Sequence, residues 1–328
     1  MHDKTFTTSD LSLATKWILA WAYYRLIPLP ALLQFAKLRG LYNFFITGNR
    51  KLVQQNIKKI LGENLTEQEI RSTGQNYYEF REKYKLMRTL QNLENFSIPQ
   101  YWSIENQHYL DELLTEGKGV VILSAHFGYF NLIKEFLKKK GYKVWQLRAK
   151  ISKRIKADQK KAQNLSRFGQ FVYDRFVTPQ VVLNEYDLFA SFNIRPLLEV
   201  LNQNGVLIIL GDGLHSANFL NLPLLGNVYP FPQGFMSLIK LSGAPVIPAF
   251  AVNGDRNSEI KLVLNKPFKF INSNNGTMKN DLINNMQHYV KILEYYIRKY
   301  PHHFKIWEKE NWFERRLKRS KKALSKRY

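Results

Sequence analysis

Two patterns in the 328-residue chain predict an α/β protein, a central mixed sheet flanked by helices. From Gly119 onward, short apolar runs alternate with amphipathic stretches, which is the signature of strands separated by covering helices. Hydrophobic residues make up 45% of the chain and aromatic residues 14%, enough to bury a large core and to exclude a disordered class. There is no repeat of fixed period and no Pro- or Ser-rich linker, so one compact unit is expected.

In chain order, the segment from Leu11 to Ile46 is apolar and bears Trp and Tyr, with Lys16, Arg25, Lys37 and Arg39 spaced along it. Its longest uncharged run, between Arg25 and Lys37, has 11 residues and two prolines, whereas a spanning helix needs roughly 20 apolar residues. A removable signal peptide is not expected, because no small-residue cleavage site follows a short apolar core. Helices lying at a membrane interface with their charged tips snorkelling fit this composition, and so do helices packed on the domain. Residues 1–48 therefore read as membrane-associated helices, 49–310 as the main domain and 311–328 as a basic tail. Asn49 to Leu93 is helical in character, with Thr66 and Glu69 spaced as a capping box. Strands are predicted at Val120–Ala125, Lys143–Leu147, Val206–Leu210, Val246–Val252 and Ile260–Leu264. Helices are predicted near Tyr129–Lys140, Arg195–Asn204, Gly234–Ser242 and Asp281–Tyr300, and the polar tract Ile271 to Asn280 reads as a loop.

The stretch VVILSAHFGYFNLIKEFL, Val120 to Leu137, carries the main chemical signal. A buried strand ending at Ala125 puts His126 at the carboxyl edge of an open α/β sheet, where ligands bind. Asn131, about one turn into the following helix, can face back to the imidazole, hold one ring nitrogen and leave the other free to accept a proton. A structural histidine is the alternative.

SAHFGYFN resembles the H-x4-D/E motif of glycerolipid acyltransferases, and further segments are similar to the late acyltransferases of lipid A biosynthesis. GNRKLVQQNIKKILGENLTEQEI resembles that family's Arg…Asn segment, and VWQLRAK places Arg148 where the family has an arginine after its second strand. LLEVLNQNGVLIILGDG places Asp212, between Gly211 and Gly213, at its strand-end Asp. LPLLGNVYPFPQGFMSLIKLSGAPVIPAFAV, which contains Gly234, resembles the substrate-pocket stretch, and LEYYIRKYPHHFKIWEKENW the C-terminal end. The resemblance runs from about Leu11 to Arg316. It implies an acyltransferase-like fold and a peripheral enzyme on the cytoplasmic face of the bacterial inner membrane. Such an enzyme moves a fatty acyl group from an acyl carrier protein or coenzyme A thioester to a hydroxyl of a lipid A-type or other glycolipid acceptor, with no metal or redox cofactor. His126 would deprotonate that hydroxyl, and Arg148 or backbone N–H groups would stabilise the oxyanion. One departure matters: Asn131 stands at the motif's acidic position, and an amide offers no negative charge to an imidazolium. Glu135 or Asp212 could substitute, and a catalytically silent lipid-binding relative is the competing reading.

Charge gives a second line. Forty-nine Lys and Arg against 26 Asp and Glu leave a formal +23, which predicts a polyanionic partner. Lys134 to Lys161 holds 12 basic residues and two acids, and Asn311 to Tyr328 eight against one. An anionic membrane or an acidic acyl carrier protein suits these clusters. Nucleic acid suits them less, because no nucleic-acid module is recognisable in the sequence. The absence of cysteine excludes disulfides and thiolate metal sites. His215 could line a pocket near Asp212, while His302 and His303, being adjacent, are expected to diverge.

Overall fold

The computed structural model describes residues 8–46, 49–62, 65–91, 102–148, 165–172, 187–189, 193–214, 216, 218–254, 259–273 and 277–325. His215, residues 149–161 of the first basic cluster and residues 326–328 of the second lie outside them. Helices α1 (Thr8–Leu26), α2 (Leu29–Ile46), α3 (Arg50–Leu61) and α4 (Glu67–Gln91) come first. The Thr66 box forms: the Glu69 carboxylate accepts from Thr66 N at 2.7 Å, and Thr66 Oγ1 accepts from Glu69 N at 3.2 Å. Helix α2 packs closely on α4, since a Cβ on Gly40 would come within 2.6 Å of the Glu79 Cα.

Then follow β1 (Trp102–Glu105), α5 (His108–Thr115), β2 (Val120–Ser124), α6 (Ile133–Lys139), β3 (Val144–Arg148), α7 (Arg167–Val172), β4 (Asp187–Phe189), α8 (Arg195–Asn202) and β5 (Val206–Leu210). The hairpin β6 (Phe219–Leu224) and β7 (Asn227–Pro232), α9 (Gly234–Ser242), β8 (Val246–Asn253), β9 (Ile260–Leu264), α10 (Met278–Lys299) and α11 (Trp312–Ser325) complete the chain. Among the described residues seven strands form one sheet in the order β1-β9-β8-β2-β5-β3-β4. Every pairing is parallel except β8 with β9, so the sheet is mixed, as the sequence predicts.

The central strand β2 is buried along its whole length, which a parallel strand covered on both faces requires. Its alternate residues enter two cores. Val121 and Leu123 join Leu207, Ile209 and Phe250 under α8, α9 and α10. Val120 and Ile122 join Val206, Ile208 and Ile247 under α2, α4 and α6. Each such side chain contributes about 1.5–3 kcal/mol when fully buried.

Two expectations need correction. The predicted helix Tyr129–Lys140 opens as a 3₁₀ turn, Phe130–Leu132, and becomes α-helical only at Ile133. The cause is the segment before it: Gly128 N donates to His303 O at 3.2 Å and Tyr129 N to Ala251 O at 2.8 Å, so the chain is bound to its neighbours before it can coil. Helix α10 starts at Met278, inside the tract read as a loop, because Thr277 caps it by accepting from Asn280 N at 3.3 Å.

Candidate active site

Register brings the two central residues together. Ser124 of β2 pairs with Leu210 of β5, so two residues further on His126 and Asp212 leave adjacent parallel strands at the same height. His126 Nδ1 lies 2.8 Å from Asp212 Oδ1. The backbone N–H of His126 also donates to both carboxylate oxygens, at 3.0 and 3.1 Å. The carboxylate thus accepts from both the ring and the main chain of one residue. The His126 side chain is 50% exposed and that of Asp212 only 7%, so the acid is enclosed while the imidazole opens outward. Among the described residues no side chain hydrogen-bonds Nε2.

Burial would by itself raise the pKa of Asp212. The His126 ring, its hydrogen bonds and the Arg316 charge outweigh that, and the carboxyl is held below its usual range. The backbone carbonyl of Asp212 is braced too, accepting from Tyr229 Oη at 2.6 Å and from the Arg316 guanidinium. Arg316 Nε donates to Tyr229 Oη at 2.9 Å, and the guanidinium lies over the Tyr229 and Trp312 rings. On the strand side, Tyr289 Oη donates to Ser124 O at 2.9 Å and Gly211 N to the same carbonyl at 2.7 Å.

The glycines have separate reasons. A Cβ on Gly128, at φ 57°, would lie 2.1 Å from the Ala251 carbonyl oxygen, so only glycine lets the loop after His126 rest on β8. A Cβ on Gly211 would press on the Tyr289 ring at 2.9 Å. Gly213 and Gly234 have room for one; Gly234 opens α9 beside Ser216.

Asn131 lies in the 3₁₀ turn, and its side-chain amide donates to the Tyr84 hydroxyl. The carboxylate on His126 Nδ1 therefore comes from Asp212, one of the two substitutes the sequence offers. Arg148 ends β3, exposed, at the same carboxyl edge; continuing the β3–β5 register sets it opposite Leu210. His302 and His303 do not diverge: their rings meet at 4.4 Å inside an aromatic cluster with Phe80 and Tyr300, which the 3₁₀ turn Pro301–His303 imposes.

The model of the family described as bacterial lipid A biosynthesis acyltransferase matches residues 4–319, nearly the whole chain. The chain belongs to this family. Membership makes it an acyltransferase, with an acyl donor and a lipid acceptor as its substrates. No curated protein gives a significant match.

Sequence reasoning missed Tyr229 and Arg316. The lipid A acyltransferase match runs past Arg316, and the stretch read as a basic tail is helical from Trp312 to Ser325 and packs on β7. The one signal available was the lone aromatic pair Trp312–Phe313 at the head of a basic helix.

Proposed function

We propose that this lipid A family member transfers an acyl chain from a carrier-protein or coenzyme A thioester to a lipid hydroxyl, with His126 as general base. The observation that carries this is the 2.8 Å contact between His126 Nδ1 and an enclosed, ionised Asp212 at the carboxyl edge of the sheet. Nδ1 keeps its proton on Asp212, so Nε2 is the basic nitrogen. It removes the acceptor's hydroxyl proton as that oxygen attacks the thioester carbonyl. The tetrahedral intermediate then expels the thiolate, to which the imidazolium returns the proton, leaving an ester and a thiol. Asp212 does not take the proton; its charge stabilises the imidazolium. Arg148, on the same edge, and Gly211, Gly213 and Gly234 are the candidate binding elements for the oxyanion and substrate.

Peripheral attachment to the cytoplasmic face of the bacterial inner membrane fits the N-terminal helices. Helix α2 buries Leu29, Leu32, Leu33, Ala36, Gly40 and Phe44 against the domain. It still exposes more than half of each of Phe35, Leu38, Tyr42 and Phe45, an apolar stripe at helical spacing on the other side. No described helix is long and apolar enough to cross a membrane. The stripe, with basic residues beside it, suits insertion into an anionic leaflet.

The silent lipid-binding reading rested on Asn131 and loses force because Asp212 supplies the carboxylate. Mass-spectrometric comparison of lipids from cells with and without the gene separates the two. An enzyme predicts that one acylated lipid disappears and its precursor, one chain lighter, accumulates; unchanged lipids would favour the binder.

A further inference from the structure

Lys305 differs from the other cations around the site. Its Nζ lies 2.8 Å from the centre of the Tyr84 ring, 5.0 Å from that of Phe130 and 5.6 Å from that of Phe80. Among the described residues, no carboxylate or hydrogen-bond acceptor meets it. Its neighbours are handled otherwise: the buried Glu82 gathers Arg39, Arg81 and Lys85, and Arg81 also reaches Glu308. Lys305 is half-buried, and an ammonium partly withdrawn from water against aromatic faces alone is poorly compensated. Burial, reinforced by the Arg88 and Lys309 charges, brings its pKa down to about 6.

The surrounding groups leave it that way. Helix α4 presents Arg88 and Tyr84, whose hydroxyl burial pushes up to about 12. The Lys305 segment itself adds the buried, neutral His303 and Lys309. From the 3₁₀ turn, Asn131 reaches the Tyr84 hydroxyl. None of these is negative at neutral pH. The other neighbour of Phe130 is the catalytic centre: its ring meets the His126 ring at 4.9 Å, edge to face.

We infer that Lys305 binds a phosphate group of a substrate, one aromatic ring away from His126. This rests on the acyl-transfer reading for its substrates, both of which carry phosphate: the phosphopantetheine arm of the donor, and the headgroup of an anionic lipid. An arriving phosphate supplies the counter-charge that the protein withholds, so the amine takes up a proton as the ligand binds. A lysine kept only for packing would show no such linkage.

The test is calorimetric titration of the full chain at pH 7.5, in two buffers of different ionisation enthalpy. 4′-Phosphopantetheine is the donor probe and dihexanoyl phosphatidic acid the lipid probe; pantetheine and dihexanoylglycerol are their phosphate-free counterparts. The phosphate ligand that Lys305 holds should bind with uptake of about one proton, and its affinity should fall up to about tenfold per pH unit above pH 6. Lys305→Met should lose about tenfold or more in affinity together with the proton uptake, and bind the phosphate-free counterpart as wild type does. Lys305→Arg, permanently charged, should keep affinity without proton uptake. Lys305→Gln repeats the measurement should the Met variant not fold. Whichever phosphate ligand shows the effect identifies the source. Unchanged affinity and proton uptake for both phosphate ligands in the lysine variants would overturn the inference. His126→Ala should bind both probes normally, so undiminished transfer by that variant would sink the catalytic reading without touching this result.

Discussion

At the scale of single residues, the chemistry depends on which carboxylate holds the imidazole. Sequence placed His126 and Asp212 at strand ends correctly, because an apolar run broken by His or by Gly-Asp-Gly marks the carboxyl edge of a buried strand. It could not show that both stand at the same height, since that follows from the pairing register of two strands 86 residues apart. The sequence predicts Asn131 one turn into an α-helix, where its amide can orient the imidazole, but the chain makes a 3₁₀ turn there. Its amide lies on Tyr84, and with Asp212 already in place Asn131→Asp is expected to change the transfer rate less than about threefold, since a second carboxylate near the first gains little. Asn131→Ala should retain most of the activity as well. Steady-state assay of acyl transfer from a thioester checks both, and a rise of tenfold or more in Asn131→Asp would return the orienting role to position 131.

Among the secondary-structure elements, the sheet strands around β2 were legible and the hairpin was not. Val206–Leu210 and Ile260–Leu264 are continuous apolar or alternating runs with clear ends, and their bounds agree with the sequence reading. Strands β6 and β7 contain Pro223, Pro230 and Pro232, which argue against a ladder, yet they form a two-stranded sheet of their own, where Pro is tolerated. Their turn puts Leu225 and Gly226 at positive φ, and the Glu294 carboxylate holds the first by accepting from Leu225 N at 3.0 Å. That contact is tertiary and leaves no local trace. Helix α2 was legible as apolar but not as two-faced. Changing Phe35, Leu38, Tyr42 and Phe45 together to Ser should leave the fold intact, because these side chains are exposed, and should weaken vesicle binding most at high salt, where charge attraction is screened within about 8 Å or less. Co-sedimentation with anionic and neutral vesicles measures this. Equal binding of the variant and wild type at high salt would contradict the proposed membrane role of α2.

For the molecule as a whole, charge and buried bases set the response to pH. The fold keeps His302 neutral, its pKa pulled down to about 4 by burial and the Lys83 charge, and holds that of His303 well below its usual value through burial and the charges of His302, Lys305 and Lys83. In the unfolded chain both titrate near about 6.5. Their contribution is therefore complete above about pH 6.5 and is lost as pH falls towards the folded values, since the unfolded state then binds more protons. Asp212, held below its usual range, acts in the same direction at lower pH. Each histidine adds up to about 1.4 kcal/mol of stability loss per pH unit in that window. His303→Phe, which suits the rings of Phe80 and Tyr300, should remove one such increment in urea unfolding between pH 6.5 and 4.5. An unaltered slope would mean that the ring is already protonated in the folded protein.

The central claim is that His126, held by Asp212, activates the acceptor hydroxyl. The direct measurement is the single-turnover rate of acyl transfer from a labelled thioester to a hydroxyl lipid, for wild type, His126→Ala and Asp212→Asn, with circular dichroism to establish that each is folded. His126→Ala should be slower by about 10²–10⁴, the usual contribution of a general base. Asp212→Asn should approach the same loss, because an amide no longer holds Nδ1 as the protonated nitrogen. Folded variants that transfer at the wild-type rate would contradict the account.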